Sequence, residues 1–115
     1  MLSSTESRTI YTSRINRVIT FITNNLAEPL HLDLLAKEAY FSPYHFHRIF
    51  TYIIGETPNA FVNRLRVEKA ANMLQKNPSL SITDIAFDCG FSSSAAFARS
   101  FKQYFGISAS KWRKV

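Results

Sequence analysis

The chain has 115 residues, a length that suits one compact domain or two very small units that share a core. Its residues are 46% hydrophobic and 19% charged, which excludes a disordered chain, and 3 Gly and 4 Pro are too few for a turn-rich β fold. The formal charge of +6 favours a polyanionic partner, nucleic acid before an anionic membrane, and the apolar runs are far too short to span a membrane.

Apolar residues recur at helical spacing along the chain, and no segment shows the sustained alternation of a strand, so an all-α fold is predicted. Residues 1–10, which carry no signal-peptide pattern, are predicted to be a flexible tail. A cap followed by proline marks a helix start, as at Ser42-Pro43, and glycine marks a helix end, as at Gly55. The predicted helices cover, in chain order, about residues 13–26, 32–39, 43–54, 58–75, 82–89, 93–105 and 109–113.

The chain contains an internal repeat. Matching residues of the two copies are 50 positions apart before a tight turn and 51 positions apart after it. One inserted residue at the start of the second copy's later helix explains the change. Each copy reads as a short helix, a turn and a second helix, which predicts two helix-turn-helix units. We place them at residues 32–54 and 82–105 of a domain over residues 11–115, joined by the helix over residues 58–75. The matched pairs include Leu32 with Ile82, Leu35 with Ile85, Ala36 with Ala86, Phe41 with Phe91, Ser42 with Ser92, Phe46 with Phe97, Arg48 with Arg99, Phe50 with Phe101 and Gly55 with Gly106.

The second helix of a helix-turn-helix unit is the one free to enter the major groove, so its outward face is the candidate surface for reading bases. On the third helix, Tyr44, His47 and Arg48 share that face with Thr51. Tyr, His and Arg side chains stack, donate hydrogen bonds and pair with guanine or phosphate, so this unit is chemically equipped to read bases.

The corresponding face of the sixth helix is small and mostly apolar. It holds Ala95, Ala98 and Arg99, with Ser94 near the helix start. We therefore expect direct base readout from the first unit and from Arg99, and docking, shape and phosphate contacts from the rest of the second unit. The inward face of the sixth helix is predicted to hold Phe97, Phe101, Tyr104 and Phe105.

Phosphate contacts are predicted at the basic C-terminal stretch and at two helix starts. Residues 99–115 hold five basic residues and no acidic residue, next to a predicted recognition helix. The N-termini of the fourth and last helices offer free N–H groups that suit a phosphate. The predicted phosphate contacts are Thr57, Asn59, Lys102, Ser108, Lys111 and Arg113.

The residue pattern offers no support for an enzyme, a metal or a cofactor. His45 and His47 are two apart on a helix and point to different sides, and His31 lies on a separate loop, so they are not expected to share an ion. No Ser/His/Asp set, Cys/His pair or phosphate-binding Gly loop is found in the sequence. Cys89, the only cysteine, lies among apolar residues and is predicted to be a core residue in a reducing compartment, the cytoplasm.

The chain resembles the DNA-binding domain of the AraC/XylS transcription regulators over about residues 15–114. The resemblance implies seven helices, with a long helix that bridges two helix-turn-helix units and recognition helices that enter two successive major-groove segments. The family usually has proline where Ala109 stands, which affects only the start of the last helix. The motifs that carry the resemblance are residues 35–36, 41–50, 55–58, 64–70, 82–86, 90–91, 97–102 and 105–106.

The resemblance also implies partners and contacts. The partners are double-stranded DNA, bound by a monomer, and RNA polymerase where transcription is activated. The Tyr-His-Phe-His-Arg stretch at residues 44–48 resembles regulators with a GyrI-like effector-binding domain, so we expect either a stand-alone regulator or one whose effector domain follows residue 115. Carried over by position, the base contacts are Tyr44, His47, Arg48, Ser94, Ala95, Ala98 and Arg99.

The predicted function is therefore sequence-specific binding of duplex DNA in transcription control, with activation expected before repression. Two alternatives stay open on the sequence. One is a helical protein–protein interaction module whose basic face is incidental. The other, weaker alternative is non-specific binding of nucleic acid.

Overall fold

The computed structural model describes residues 3–115, and over those residues it contains seven α-helices and no strand. The predicted all-α fold class is confirmed. From α2 onward, each helix begins and ends within one residue of its predicted position. The helices are α1 (Ser4–Asn24), α2 (Leu32–Glu38), α3 (Pro43–Ile54), α4 (Pro58–Lys76), α5 (Ile82–Asp88), α6 (Ser94–Phe105) and α7 (Ala109–Lys114).

The first helix is longer than its apolar pattern predicts. Ser3 and Glu6 form a capping box, in which the Glu6 N–H donates to Ser3 Oγ at 3.1 Å and the Ser3 N–H donates to Glu6 Oε2 at 3.3 Å. The flexible tail predicted over residues 1–10 is therefore helical from Ser4 onward, and Met1 and Leu2 lie outside the described residues. The Ser-x-x-Glu spacing was the sequence signal for this earlier start.

The chain divides into two compact units. Unit 1 comprises residues 3–25 and Leu30–Phe61, and unit 2 comprises Leu26–Pro29 and Val62–Val115. The first turn of α4 therefore belongs to unit 1 and the rest of that helix to unit 2. Each unit contains one of the predicted helix-turn-helix pairs, α2 with α3 and α5 with α6.

The core of unit 1 forms where α1, α2 and α3 contact one another. Phe50 lies at its centre, with its ring centroid 5.5 Å from that of Phe46 and 5.3 Å from that of Phe61, edge to face. Aromatic pairs in this geometry add to the stabilisation that burial provides. The buried apolar residues of unit 1 are Ile15, Val18, Ile22, Leu35, Ala36, Ala39, Phe46, Phe50, Pro58 and Phe61.

Unit 2 repeats this packing. Trp112 of α7 lies edge to face on Phe101, 6.0 Å between ring centroids, at the place that corresponds to Phe61 on Phe50. Its indole Nε1–H donates to the Ala71 carbonyl oxygen at 2.9 Å. The repeat seen in the sequence therefore continues past the second helix of each copy into the following helix. The buried apolar residues of unit 2 are Leu26, Val62, Val67, Ala70, Ala71, Leu74, Ile85, Ala86, Cys89, Phe91, Phe97, Phe101 and Ala109.

The two turns place different residues in the same left-handed conformation. Gly90 has φ +96° in unit 2, and the matching residue in unit 1 is Tyr40, with φ 59°. A side chain in this region costs conformational energy, and local contacts hold Tyr40 there. The Arg17 guanidinium lies 5.1 Å from the Tyr40 ring centroid, and Arg14 Nη1 donates to the Tyr40 carbonyl oxygen at 3.3 Å.

The inserted residue of the second copy lies in the turn and not at the start of the later helix. Ser93 caps α6, because its Oγ accepts the Ala96 N–H at 3.1 Å, whereas the repeat had matched the cap Ser42 with Ser92. The structural counterpart of Ser42, the cap of α3, is therefore Ser93. The spacing between matching residues therefore changes from 50 to 51 at Ser92, which is the inserted residue. This is one residue earlier than the predicted start of the later helix, where the insertion was expected.

Cys89 is a core residue, as predicted. Its side chain is fully buried, and its Sγ lies 3.6 Å from the Met73 sulfur. Burial raises the pKa of the Cys89 thiol, because a thiolate loses its hydration in an apolar site. The thiol is therefore held in its unreactive protonated form.

Candidate nucleic-acid interface

The third helix presents one buried and one exposed face. Phe46 and Phe50 are fully buried, whereas Tyr44, His47 and Arg48 on the opposite side are exposed. The helix begins at Ser42, whose Oγ accepts the His45 N–H at 3.3 Å, and ends at Gly55 in the left-handed conformation. The structure therefore brings the three predicted base-reading side chains of unit 1 onto one exposed surface.

Tyr44 and Arg48 form a pair on this surface. Arg48 Nη1 donates to Tyr44 Oη at 3.3 Å, and the guanidinium carbon lies 5.7 Å from the ring centroid. The pair uses one donor of the guanidinium, which carries five N–H groups in a rigid fork. Thr51, also predicted on this face, is half-buried, and its hydroxyl donates to the His47 carbonyl oxygen at 2.7 Å.

The sixth helix has the same division, with a smaller exposed face. Phe97 and Phe101 point inward, and the predicted outward residues are all exposed. Tyr104 was predicted to point inward, but 39% of its surface is exposed. The inward side of α6 is covered by Trp112 of α7, which packs against Phe101 and Phe105. The exposed residues of this face are Ser94, Ala95, Ala98, Arg99 and Lys102.

The predicted phosphate contacts at the two helix starts act first as caps. Thr57 Oγ1 accepts the Ala60 N–H at 3.2 Å in unit 1, and Ser108 Oγ accepts the Lys111 N–H at 3.2 Å in unit 2. These hydroxyls satisfy backbone donors of α4 and α7. The side chains of Asn59 and Lys111 are exposed beside them.

Arg113 has a structural role that the sequence did not reveal. Its Nε donates to the Leu74 carbonyl oxygen at 3.0 Å, and its Nη2 donates to the carbonyl oxygens of Asn77 at 3.2 Å and Leu80 at 2.7 Å. These acceptors lie at the end of α4 and in the segment after it, where helix carbonyls lack partners in their own helix. The half-buried guanidinium therefore closes the end of α4.

His31 is a residue near the candidate interface that sequence reasoning set aside as belonging to a separate loop. It is the N-cap of α2 and makes no side-chain capping bond. Together with His47 and Asn59 it lines a groove of about 300 Å³ in unit 1. His31 precedes α2, His47 lies on α3 and Asn59 lies on α4. Only the packing of these helices brings the three side chains to one groove, so the sequence carried no local signal for it.

Neither a metal cluster nor a membrane-spanning helix is found among residues 3–115. In that part of the chain, no group of three or more His, Cys, Asp and Glu side chains is placed to hold a metal ion. None of the helices in the same residues has the length and apolar character needed to cross a bilayer.

Comparison with known proteins places the chain in a family. The helix-turn-helix domain family matches residues 35–115. The transcriptional activator AarP of Providencia stuartii is 36% identical over 101 residues, covering 88% of this chain and 74% of AarP. The transcriptional activator RhaS of Escherichia coli O139:H28 is 34% identical over 96 residues, covering 84% of this chain. The chain spans 34% of the length of RhaS.

Solved structures show the same fold. An AraC-type transcriptional regulator from Chromobacterium violaceum has a TM-score of 0.82 and 28% identity, covering 90% of this chain and 91% of its own. The DNA-binding domain of the global transcriptional factor AdpA, solved with a target DNA, has a TM-score of 0.84 and 28% identity, covering 88% of this chain and 90% of its own. The chain belongs to the AraC-type helix-turn-helix family of DNA-binding transcription regulators.

Proposed function

We propose that this protein regulates transcription by binding a specific duplex DNA sequence, with α3 and α6 each inserted into a segment of the major groove. The observation that carries the proposal is the exposed surface of α3, where Tyr44, His47 and Arg48 stand opposite fully buried phenylalanines. The formal charge of +6 suits a partner with a phosphate backbone. The AdpA domain, which has the same fold, was solved with its target DNA.

The proposed DNA-contacting residues fall into two groups, those that contact base edges and those that contact phosphates. Tyr44, His47 and Arg48 read base edges from unit 1, and Arg99 reads them from unit 2 with Ser94, Ala95 and Ala98 beside it. Arg113 is left out of the phosphate set, because its guanidinium closes the end of α4. The proposed phosphate contacts are Thr57, Asn59, Lys102, Ser108 and Lys111.

The proposal includes the regulatory mode. AarP and RhaS are named as activators, so we propose that this protein activates transcription and contacts RNA polymerase. One chain carries two recognition helices, so we propose that a monomer occupies the site. We further propose that, if the protein is part of a longer regulator, the effector domain is of the GyrI-like class and follows residue 115.

Selection of bound duplexes from a random library, followed by titration at several salt concentrations, tests this function. We expect a preferred sequence that binds at least about a thousandfold more tightly than random duplex. The logarithm of the association constant is expected to fall linearly with log salt, by about 0.9 for each neutralised phosphate. Failure to bind any duplex would instead favour a protein–protein interaction module, and equal binding to all duplexes would favour non-specific nucleic-acid binding.

Replacement of Arg48 with alanine is expected to weaken binding to the preferred duplex by about 1–3 kcal/mol and to relax the choice of base at one position. The physical reason is the loss of a bidentate pair between the guanidinium and guanine. The measurement is competition between the preferred duplex and its single-base variants.

The matched control for Arg48 is Arg8→Ala. Arg8 is an exposed arginine of unit 1 on α1, so this change removes the same charge. It lines a groove with Ile49, Tyr52 and Ile53 of α3, none of which is a proposed base contact. It should leave the base preference unaltered. An equal loss on every sequence after Arg48→Ala would make Arg48 a phosphate contact and not a reader of bases.

A further inference from the structure

Unit 2 carries an apolar groove beside the exposed face of α6. The groove measures about 440 Å³. Its apolar lining comes from Ile82 of α5, from Ala95, Phe97 and Ala98 of α6, and from Ala109 of α7, and three serines complete it. Ala95 and Ala98 are exposed and three residues apart, so their methyl groups lie on the same side of the helix.

The chain on the α6 and α7 sides of this groove is cationic, whereas α5, which supplies Ile82, carries the exposed Asp84 and Asp88. Arg99 and Lys102 follow on the exposed side of α6, and the exposed Lys111 follows the lining residues at the start of α7. Residues 89–115 contain no acidic residue. An apolar centre with cations on two of its sides complements a surface that is apolar in its middle and anionic along those sides.

The major groove of DNA has that character only where thymine is present. Each base pair presents hydrogen-bond donors and acceptors there, and thymine alone adds an apolar 5-methyl group. Phosphates line both edges of the groove. Alanine side chains carry no hydrogen-bonding group, so Ala95 and Ala98 cannot distinguish donors from acceptors, but they can contact a methyl group.

We infer that unit 2 recognises the 5-methyl groups of thymine, through the apolar groove lined by Ala95, Ala98 and Ile82. This inference rests on the proposed function, because it requires α6 to face the major groove. It gives the second unit a sequence preference of its own, in addition to any contact that Arg99 makes. The corresponding groove of unit 1, with His31, His47 and Asn59, has polar side chains at the same place and does not share this chemistry.

The test replaces thymine with uracil, which differs only in lacking the methyl group. The probes are the duplex selected from the random library and copies of it with uracil at one thymine at a time. With the full 115-residue chain, at least one uracil substitution is expected to weaken binding about fourfold, the effect of one buried methyl group.

Variants of α6 then assign the methyl contact to unit 2. Ala95→Gly and Ala98→Gly remove the side chain that touches the methyl group, so the thymine-to-uracil ratio at that position should fall from about four to about one. Gln103→Gly is the matched control, because it introduces the same helix-weakening residue at another exposed position of α6. Ala98→Ser, which keeps the helix and adds a hydroxyl, serves if the glycine variants fail to fold by circular dichroism.

The outcomes separate this inference from the proposed function. A thymine position whose uracil penalty disappears in an Ala95 or Ala98 variant, and persists in Gln103→Gly, supports the inference. A preferred sequence that contains no such position, or no thymine, would overturn the inference and leave the proposed function standing. The absence of any preferred sequence would overturn both.

Discussion

Gly90→Ala is expected to lower the free energy of unfolding of unit 2 by about 3 kcal/mol or more. Gly90 has φ +96°, a conformation that L side chains rarely adopt. A Cβ atom there would also overlap the Leu26 carbonyl oxygen and lie 2.7 Å from Arg66 Nε. Neither neighbour can move freely, because Arg66 Nε donates to Leu26 O at 3.0 Å and Arg66 Nη2 to Glu28 O at 2.8 Å.

Two measurements check this expectation. Thermal or urea unfolding gives the loss of stability, and the rate at which a thiol reagent labels Cys89 reports opening of the core next to Gly90. The matched control is Tyr40→Ala in unit 1. That position already holds a side chain at φ 59°, so alanine should cost less than about 1 kcal/mol. Similar losses of stability in Gly90→Ala and Tyr40→Ala would contradict this expectation. They would show that the close contact of Gly90 with Leu26 and Arg66 is not what requires glycine at position 90.

Arg113→Ala is expected to destabilise unit 2 by about 2 kcal/mol and to leave the salt dependence of DNA binding unchanged. The guanidinium donates three hydrogen bonds to carbonyl oxygens at the end of α4 and just after it. Its removal leaves those acceptors without this partner. Arg113→Lys should restore little of the stability, because a lysine ammonium cannot reproduce the fork that reaches all three oxygens.

Lys111→Ala provides the contrast. It removes the same charge from the same helix, but the Lys111 side chain is exposed and is a proposed phosphate contact. This variant should keep its stability and reduce the slope of log association constant against log salt by about 1. The assignment of the two residues would be reversed if Arg113→Ala changed the salt slope and Lys111→Ala lowered the unfolding temperature.

The sequence determined the helical architecture and the reading face of unit 1. Apolar spacing of 3.6 residues fixes which side of a helix is buried, so the exposed stripe Tyr44, His47 and Arg48 followed from Phe46 and Phe50 alone. Capping serines and terminal glycines predicted most helix ends. Their effects are also local, because a serine hydroxyl or a left-handed residue interacts with backbone groups close by in the chain. The Ser3 capping box shows that α1 was readable too, although its Ser/Thr-rich composition concealed the helix.

Only the tertiary structure showed which residues far apart in the sequence contact one another. In the sequence, Arg113 is one of several cations in a basic stretch. In the fold, its guanidinium donates hydrogen bonds to carbonyl oxygens of residues more than thirty positions earlier in the chain. His31 came to the groove of His47, and Ile82 to that of Ala98, only through the packing of neighbouring helices. Periodicity and capping are local properties of a chain, so the sequence specified helices and their faces. The partners of a guanidinium and the walls of a groove depend on how helices pack, which no local pattern records.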